Sequence, residues 1–163
     1  MSRFVDPRYH PSCIDAMILD RRGDSEDQVV EEILALAEDL RISLYIPHSV
    51  KSEIEHPNTP AETKQRASGL LFTNPVTLTE RETQTVLKIQ AMLQGNAQPG
   101  KHHRDAFHVV EAAKYGSYFI TNDGRILKNR GALTEILGVD VVTPTEFLER
   151  FRDAERRCPD GSK

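Results

Sequence analysis

The run HRDAFHVVEAAKYGSYFITND, residues 103–123, decides the fold. Ala106, Val109, Val110 and Ala113 recur at helical spacing and form one apolar stripe, which predicts a helix over His103 to Tyr115. Gly116 follows, where a left-handed C-terminal cap is expected. Ser117 to Thr121 (SYFIT) then reads as a short buried strand. Asn122-Asp123-Gly124 is a strong turn signal. The next residues, Arg125-Ile126-Leu127-Lys128, read as a short helix and not as a returning strand, so a hairpin is not indicated. Helix, strand and helix in succession imply a parallel sheet covered by helices.

The same alternation extends outward in both directions. Further strands are predicted at Ser12 to Asp15 (SCID), Ile42 to Ile46 (ISLYI), Pro75 to Leu78 (PVTL) and Val139 to Val142 (VDVV), each bounded by Gly, Pro, Asp or Asn. Helix starts are marked by capping-box spacings at Ser25 with Gln28, Thr59 with Glu62, Thr79 with Glu82 and Thr143 with Glu146. Pro60 and Pro144 are expected at first helical positions, where a missing N–H costs nothing. The fold class is therefore α/β, with a central parallel sheet of about five short strands flanked by helices on both faces. Residues 1–11 read as an N-terminal extension, 12–150 as one domain and 151–163 as a tail. Gly95 to Gly100 (GNAQPG) is expected to be a surface connection, and the chain from Arg150 onward to fray into solvent.

The chain has 163 residues, 38% apolar and 28% charged, which suits one globular core and excludes a disordered or collagen-like chain. A net charge of −4 excludes a broadly basic nucleic-acid binder, so any phosphate contact must come from local patches. Cys13 and Cys158 lie too far apart in sequence for a paired zinc or redox motif, and a reducing compartment fits them. No window approaches the run of about 18 apolar residues that spans a bilayer. The N-terminal MSRFVDPRYH lacks a signal-peptide core, so a cytoplasmic protein without membrane association is expected. Neither a phosphate-binding G-x-x-x-x-G-K-[ST] loop nor a G-x-G-x-x-G turn occurs. With 6 Phe, 4 Tyr and no Trp, several of them needed in the core, an RNA-stacking platform is not expected.

Carboxylates at strand ends carry the chemistry, because ligands of open α/β sheets bind outside the carboxyl ends of the strands. Asp15 ends the first strand and Asp123 follows the strand ending at Thr121. Glu53 begins a helix after the strand ending at Ile46, and Asp105 opens the helix of the first quoted run. Clustered, these four would suit Mg²⁺ or Mn²⁺, hard cations that prefer oxygen ligands, and phosphodiester hydrolysis is the natural use of such a site. Without metal they repel one another, and at least one pKa should rise. Taken singly, each acid has a plain structural explanation: Asp123 as a turn residue, Glu53 (or its neighbour Glu55) as a solvated helix residue, Asp105 as a match to the helix dipole. Asp6, after Phe4-Val5, competes with Asp15 as the first acid; Asp15 is preferred because Met17, Ile18 and Leu19 can pack behind it, whereas Pro7 follows Asp6. Cationic neighbours for a polyanion are available in Arg21, Arg22, Lys51, Lys101, Arg104, Arg125 and Lys128, although any one of them could simply solvate a helix end. His102 and His103 are read as surface residues, and His103 and His108 as too far apart around the helix to share a zinc ion.

In combination, Cys13-Ile14-Asp15-Ala16, Pro47-His48-Ser49-Val50-Lys51-Ser52-Glu53-Ile54, Arg104-Asp105-Ala106-Phe107-His108-Val109 and Tyr118-Phe119-Ile120-Thr121-Asn122-Asp123 resemble the PIN-domain nucleases in order and spacing. The resemblance runs from about Cys13 to Phe147. It implies a single PIN-like domain in which Asp15, Glu53, Asp105 and Asp123 are both catalytic and metal-binding, holding Mg²⁺ or Mn²⁺ for cleavage of single-stranded RNA, with Thr121 as the supporting hydroxyl beside the last acid. Many bacterial members are VapC-type toxins held inactive by an antitoxin protein, and homodimers are common. The family's usual Asp-Thr-Asn is Asp15-Ala16-Met17 here, which removes the asparagine donor beside the first acid. A noncatalytic RNA- or protein-binding module of the same fold is the alternative. A phosphoacceptor receiver domain ranks below both, because Pro75-Val76-Thr77-Leu78 offers no aspartate at a third strand end.

Overall fold

The computed structural model describes residues 4–96 and 102–159. Along the chain these form β1 (Ser12–Ile14), a 3₁₀ turn (Ala16–Leu19), α1 (Glu26–Glu38), β2 (Leu44–Ile46), a 3₁₀ turn (His48–Val50) running into α2 (Lys51–Ile54), α3 (Ala61–Ser68) and β3 (Leu71–Phe72). The second half adds α4 (Glu80–Gln94), α5 (His103–Tyr115), β4 (Tyr118–Ile120), α6 (Gly124–Lys128), α7 (Arg130–Leu137), β5 (Asp140–Val142) and α8 (Pro144–Arg157). The strands make one parallel sheet in the order β3-β2-β1-β4-β5. Successive strands thus build outward from β1 on one side, then the chain crosses back and builds outward on the other. The connections change direction between β1 and β4, which is the switch point where an open α/β sheet leaves a crevice at its carboxyl edge.

Alternate residues of each strand face opposite layers, and the core accordingly splits in two. Ile14, Leu44, Ile46, Tyr118, Ile120 and Val142 pack with α1 and α8, and with Val50 and Ile54. Cys13, Phe119 and Val141 pack instead with the buried stripes of α4, α5 and α7. The α5 stripe includes Ala106, Val109 and Val110 as its spacing requires, with Ala113 at its partly buried margin. No helix among the described residues is long and apolar enough to cross a membrane.

Four local expectations are corrected. The third strand is Leu71–Phe72 and not Pro75 to Leu78: Leu71 and Phe72 pair with Tyr45 and Ile46, and Thr73 N–H closes the ladder on the Ile46 carbonyl at 2.8 Å. Pro75 has no N–H to offer such a ladder. Gly116 does not take a left-handed cap; it is extended (φ −131°), and its role is close approach, since a Cβ there would stand 3.0 Å from the Pro11 carbonyl oxygen. Of the four expected capping boxes, those at Thr79 and Thr143 form. Ser25 is itself helical, and α1 is preceded by Asp24 accepting from Glu26 N–H. Pro60 sits at the N-cap of α3, and the Thr59 hydroxyl donates to the Glu53 carbonyl instead.

From Arg150 to the end of α8 at Arg157 the chain does not fray. Helix α8 continues to Arg157, and Phe147, Leu148, Phe151 and Ala154 are buried along one face, with the Tyr118 and Phe147 rings edge to face at 5.6 Å. The N-terminal segment docks on its end: the Arg8 guanidinium pairs with Asp6 at 2.8 Å and donates to the carbonyls of Ala154 and Cys158. The Gly95 to Gly100 connection lies, from residue 97 on, outside the described residues. Because Phe151 is 2% exposed, Phe151→Ala is expected to destabilise the fold by about 3–5 kcal/mol. Urea unfolding would register this as a lowered midpoint, whereas an unmoved midpoint would put the last turns of α8 outside the core.

Candidate functional site

Asp15 leaves the end of β1 as Thr121 leaves the end of β4, and the parallel register that pairs Ile14 with Ile120 brings them side by side. The Asp15 N–H donates to the Ile120 carbonyl at 2.9 Å, and the Thr121 hydroxyl donates to Asp15 Oδ2 at 2.7 Å. Thr121 Oγ1 also accepts from Asp123 N–H at 3.0 Å, so one fully buried hydroxyl joins the first and last acids. Asp123 caps α6 with its Oδ1, which accepts from the N–H groups of Arg125 and Ile126. The turn residue and the site residue are therefore the same side chain.

The other two acids come from helices. Asp105, in the first turn of α5, has its Oδ2 3.0 Å from His102 Nδ1. Glu53, on α2, has its Oε1 2.5 Å from the Arg104 guanidinium and 3.9 Å from His108 Nε2. Burial pushes the His108 imidazole down to about 4, so it stands neutral beside Glu53 at neutral pH. Each of the four carboxylates is thus oriented through one oxygen. The second oxygen of each, Asp15 Oδ1, Glu53 Oε2, Asp105 Oδ1 and Asp123 Oδ2, has no hydrogen-bond or ion-pair partner among the described residues, and none of these atoms is sealed from solvent.

The half-buried Asp15 feels the charge of the other three acids. Burial raises its carboxyl to about 6; the Thr121 hydrogen bond lowers it, and the charges of Asp123, Asp105 and Glu53 raise it further. The sequence thus places four separate acids in one electrostatic neighbourhood. Asp6 is not among them, since its carboxylate is held below the usual range chiefly by the Arg8 hydrogen bond. An all-oxygen set of this kind suits Mg²⁺ or Mn²⁺ and not a soft metal. As the side chains stand, no three His, Cys, Asp or Glu among the described residues are grouped closely enough to hold an ion. Closure on a cation would require side-chain rotation.

Two clefts flank the acids and share Met17, which is 43% exposed and carries no donor. One, of about 590 Å³, is lined by Glu53, Arg104, Asp20 and Thr63. The other, of about 770 Å³, is lined by Asp123, Asn122, Arg125 and Lys128. Of the basic residues proposed to meet a polyanion, Arg104, Arg125 and Lys128 reach these clefts. Arg125 also donates to the Leu93 carbonyl at 3.0 Å, whereas Lys128 has no ion-pair partner among the described residues. Arg21 lies near Glu31 and Glu62, Arg22 pairs with Glu26, and Lys51 lies against Glu55 and the Phe72 ring; none of the three lines either cleft. Lys101 lies outside the described residues.

Sequence reading missed Glu111 and Thr73, buried polar groups that hold the turn before Glu53. The one available signal is that Glu111 follows Arg104 and His108 at helical spacing on the face that meets Glu53. No protein-family model, no curated protein and no solved structure matches this chain.

The raised pKa of Asp15 has a defined consequence. Between about 4 and about 6 the folded chain holds a proton on Asp15 that the unfolded chain has released, so the contribution of Asp15 to stability falls as pH rises through that window and levels off above it. Asp15→Asn, which keeps an oxygen for Thr121, is expected to abolish this fall. Its gain over wild type should reach up to about 3 kcal/mol above pH 6 and vanish below about pH 4. Urea titrations across that range test it; a difference that does not vary with pH would remove Asp15 as the titrating group.

Proposed function

We propose that the chain is a divalent-metal-dependent endoribonuclease that hydrolyses phosphodiester bonds of single-stranded RNA, in the manner of the PIN-domain nucleases its sequence resembles. The observation that carries this reading is the gathering of Asp15, Glu53, Asp105 and Asp123 at the switch point of the sheet, three of them raising the pKa of the fourth. Assembling four like charges opposes folding, and groups perturbed in this way cluster at functional sites.

Asp15, Asp105 and Asp123 would hold Mg²⁺ or Mn²⁺, with Glu53 as a further ligand or as an acceptor that orients water. A divalent cation in this place supplies positive charge against phosphodiester oxygens and lowers the pKa of water. The chain's own groups do the remainder. Thr121 keeps Asp15 and Asp123 in mutual register through its hydroxyl. Arg125 and Lys128 on one side, and Arg104 on the other, offer positive charge to phosphates of a strand crossing the two clefts. An antitoxin partner and homodimerisation belong to the same proposal and rest on the resemblance alone, whereas a cytoplasmic location rests on the unpaired cysteines.

A noncatalytic binding module is favoured by two specific observations: Met17 stands where the family has an asparagine donor, and no three acids among the described residues are within ligating reach as they stand. Metal titration separates the two. Calorimetry is expected to find a Mn²⁺ site of millimolar or better affinity in the wild type, and its absence would support the binding module. Asp15→Asn and Asp123→Asn, each still folded by circular dichroism, are expected to abolish Mn²⁺-dependent cleavage of single-stranded RNA. Undiminished cleavage by both variants would remove these acids from the chemistry.

A further inference from the structure

The helical run from His48 to Ile54, which delivers Glu53, begins at a residue that cannot cap it. Pro47 is the N-cap and has no side-chain oxygen, so the first free amides of the run need partners from elsewhere. Both find them across the fold. The His48 N–H donates to Thr73 Oγ1 at 2.9 Å, just beyond β3. The Ser49 N–H donates to the Glu111 carboxylate, 3.1 Å from Oε2 and 3.3 Å from Oε1. Thr73 is 4% and Glu111 1% exposed.

Glu111 is the more telling of the two. It is a carboxylate removed from water with no ion pair among the described residues, an arrangement that opposes folding. An apolar side chain would pack there more favourably, but it could not take the Ser49 N–H. Glu111 also lies on α5, the helix that carries Asp105, and the same helix reaches Glu53 through Arg104 and His108. Helix α5 thus grips the Glu53 turn at its start and at its acid.

We propose that Glu111 is a positioning residue, which clamps the start of the His48–Ile54 run and so fixes Glu53 relative to Asp105. This rests on the metal-site reading above and adds to it a part of the chain that touches neither cation nor substrate. Thr73 is the companion clamp at His48.

The test compares Glu111→Gln, which keeps an acceptor oxygen, with Glu111→Leu, which keeps bulk and has none. Readouts are amide hydrogen exchange at residues 49–53, Mn²⁺ affinity by calorimetry, and global stability in urea. Glu111→Leu is expected to speed exchange at Ser49 by about tenfold or more, as local opening separates from global unfolding. It should also weaken Mn²⁺ binding by about tenfold, the scale seen when groups that orient metal ligands are lost. Glu111→Gln should stay within about threefold of wild type in both, on the same scale. Should Glu111→Leu fail to fold, Thr73→Val, which removes the acceptor at His48, is expected to move exchange and affinity in the same direction. Native exchange and native Mn²⁺ affinity in the Leu variant would overturn the proposal. So would an affinity loss that follows global destabilisation without faster local exchange. Faster exchange at Ser49 in a chain whose wild type binds no Mn²⁺ would overturn the nuclease reading and leave the clamp standing.

Discussion

The hydrogen bond from the Thr121 hydroxyl to Asp15 joins the carboxyl ends of the two strands on which the site depends. It exists because β1 and β4 are parallel neighbours in register, which places the residues just past Ile14 and Ile120 at the same edge. A parallel sheet sends all its strand ends to one side, and the change of direction between β1 and β4 opens a crevice there. The same hydroxyl accepts from Asp123 N–H, so a single buried side chain sets the spacing of two acids that repel each other. Loosening this pair would free Asp15 to turn away from its like-charged neighbours.

The remaining charges are restrained on the same plan. Each acid has one oxygen fixed by a local partner: a hydroxyl for Asp15, helix amides for Asp123, an imidazole for Asp105 and a guanidinium for Glu53. These contacts offset part of the repulsion and aim the second oxygen of each group without engaging it. The Arg104–Glu53 pair is largely exposed, with the Arg104 side chain 64% accessible. A surface pair of this kind is worth little in free energy. It can therefore give way more readily than the buried Thr121 contact, which makes Glu53 the most adaptable member of the four.

Much of the architecture is legible from local pattern. The helical stripe of α5, the strand before Asp123, and the capping boxes at Thr79 and Thr143 all form where periodicity and side-chain chemistry place them. The misreadings share one cause. Pro75 to Leu78 has the composition of a strand, but pairing with β2 was taken by Leu71 and Phe72, whose amides are free to bond. Gly116 has the backbone freedom of a cap, but it is the neighbouring Pro11 carbonyl, which leaves no room for a Cβ, that requires glycine there. Ser25 and Thr59 have capping spacing, yet their backbones and hydroxyls are committed otherwise. The end of the chain is polar and charged in composition, yet Phe147, Leu148, Phe151 and Ala154 align on one buried face of α8.

The amino-acid sequence by itself determined the class of fold, the alternation of strands and helices, and which acids stand at strand ends and helix starts, because these follow from periodicity and from groups within a few residues of one another. Only the tertiary structure decided which of the basic residues reach the clefts, that Asp6 belongs with Arg8 and not with Asp15, and that Glu111 and Thr73 hold the turn carrying Glu53. Those contacts join residues tens of positions apart. Their strength depends on distance and burial in space, and no spacing along the chain encodes either.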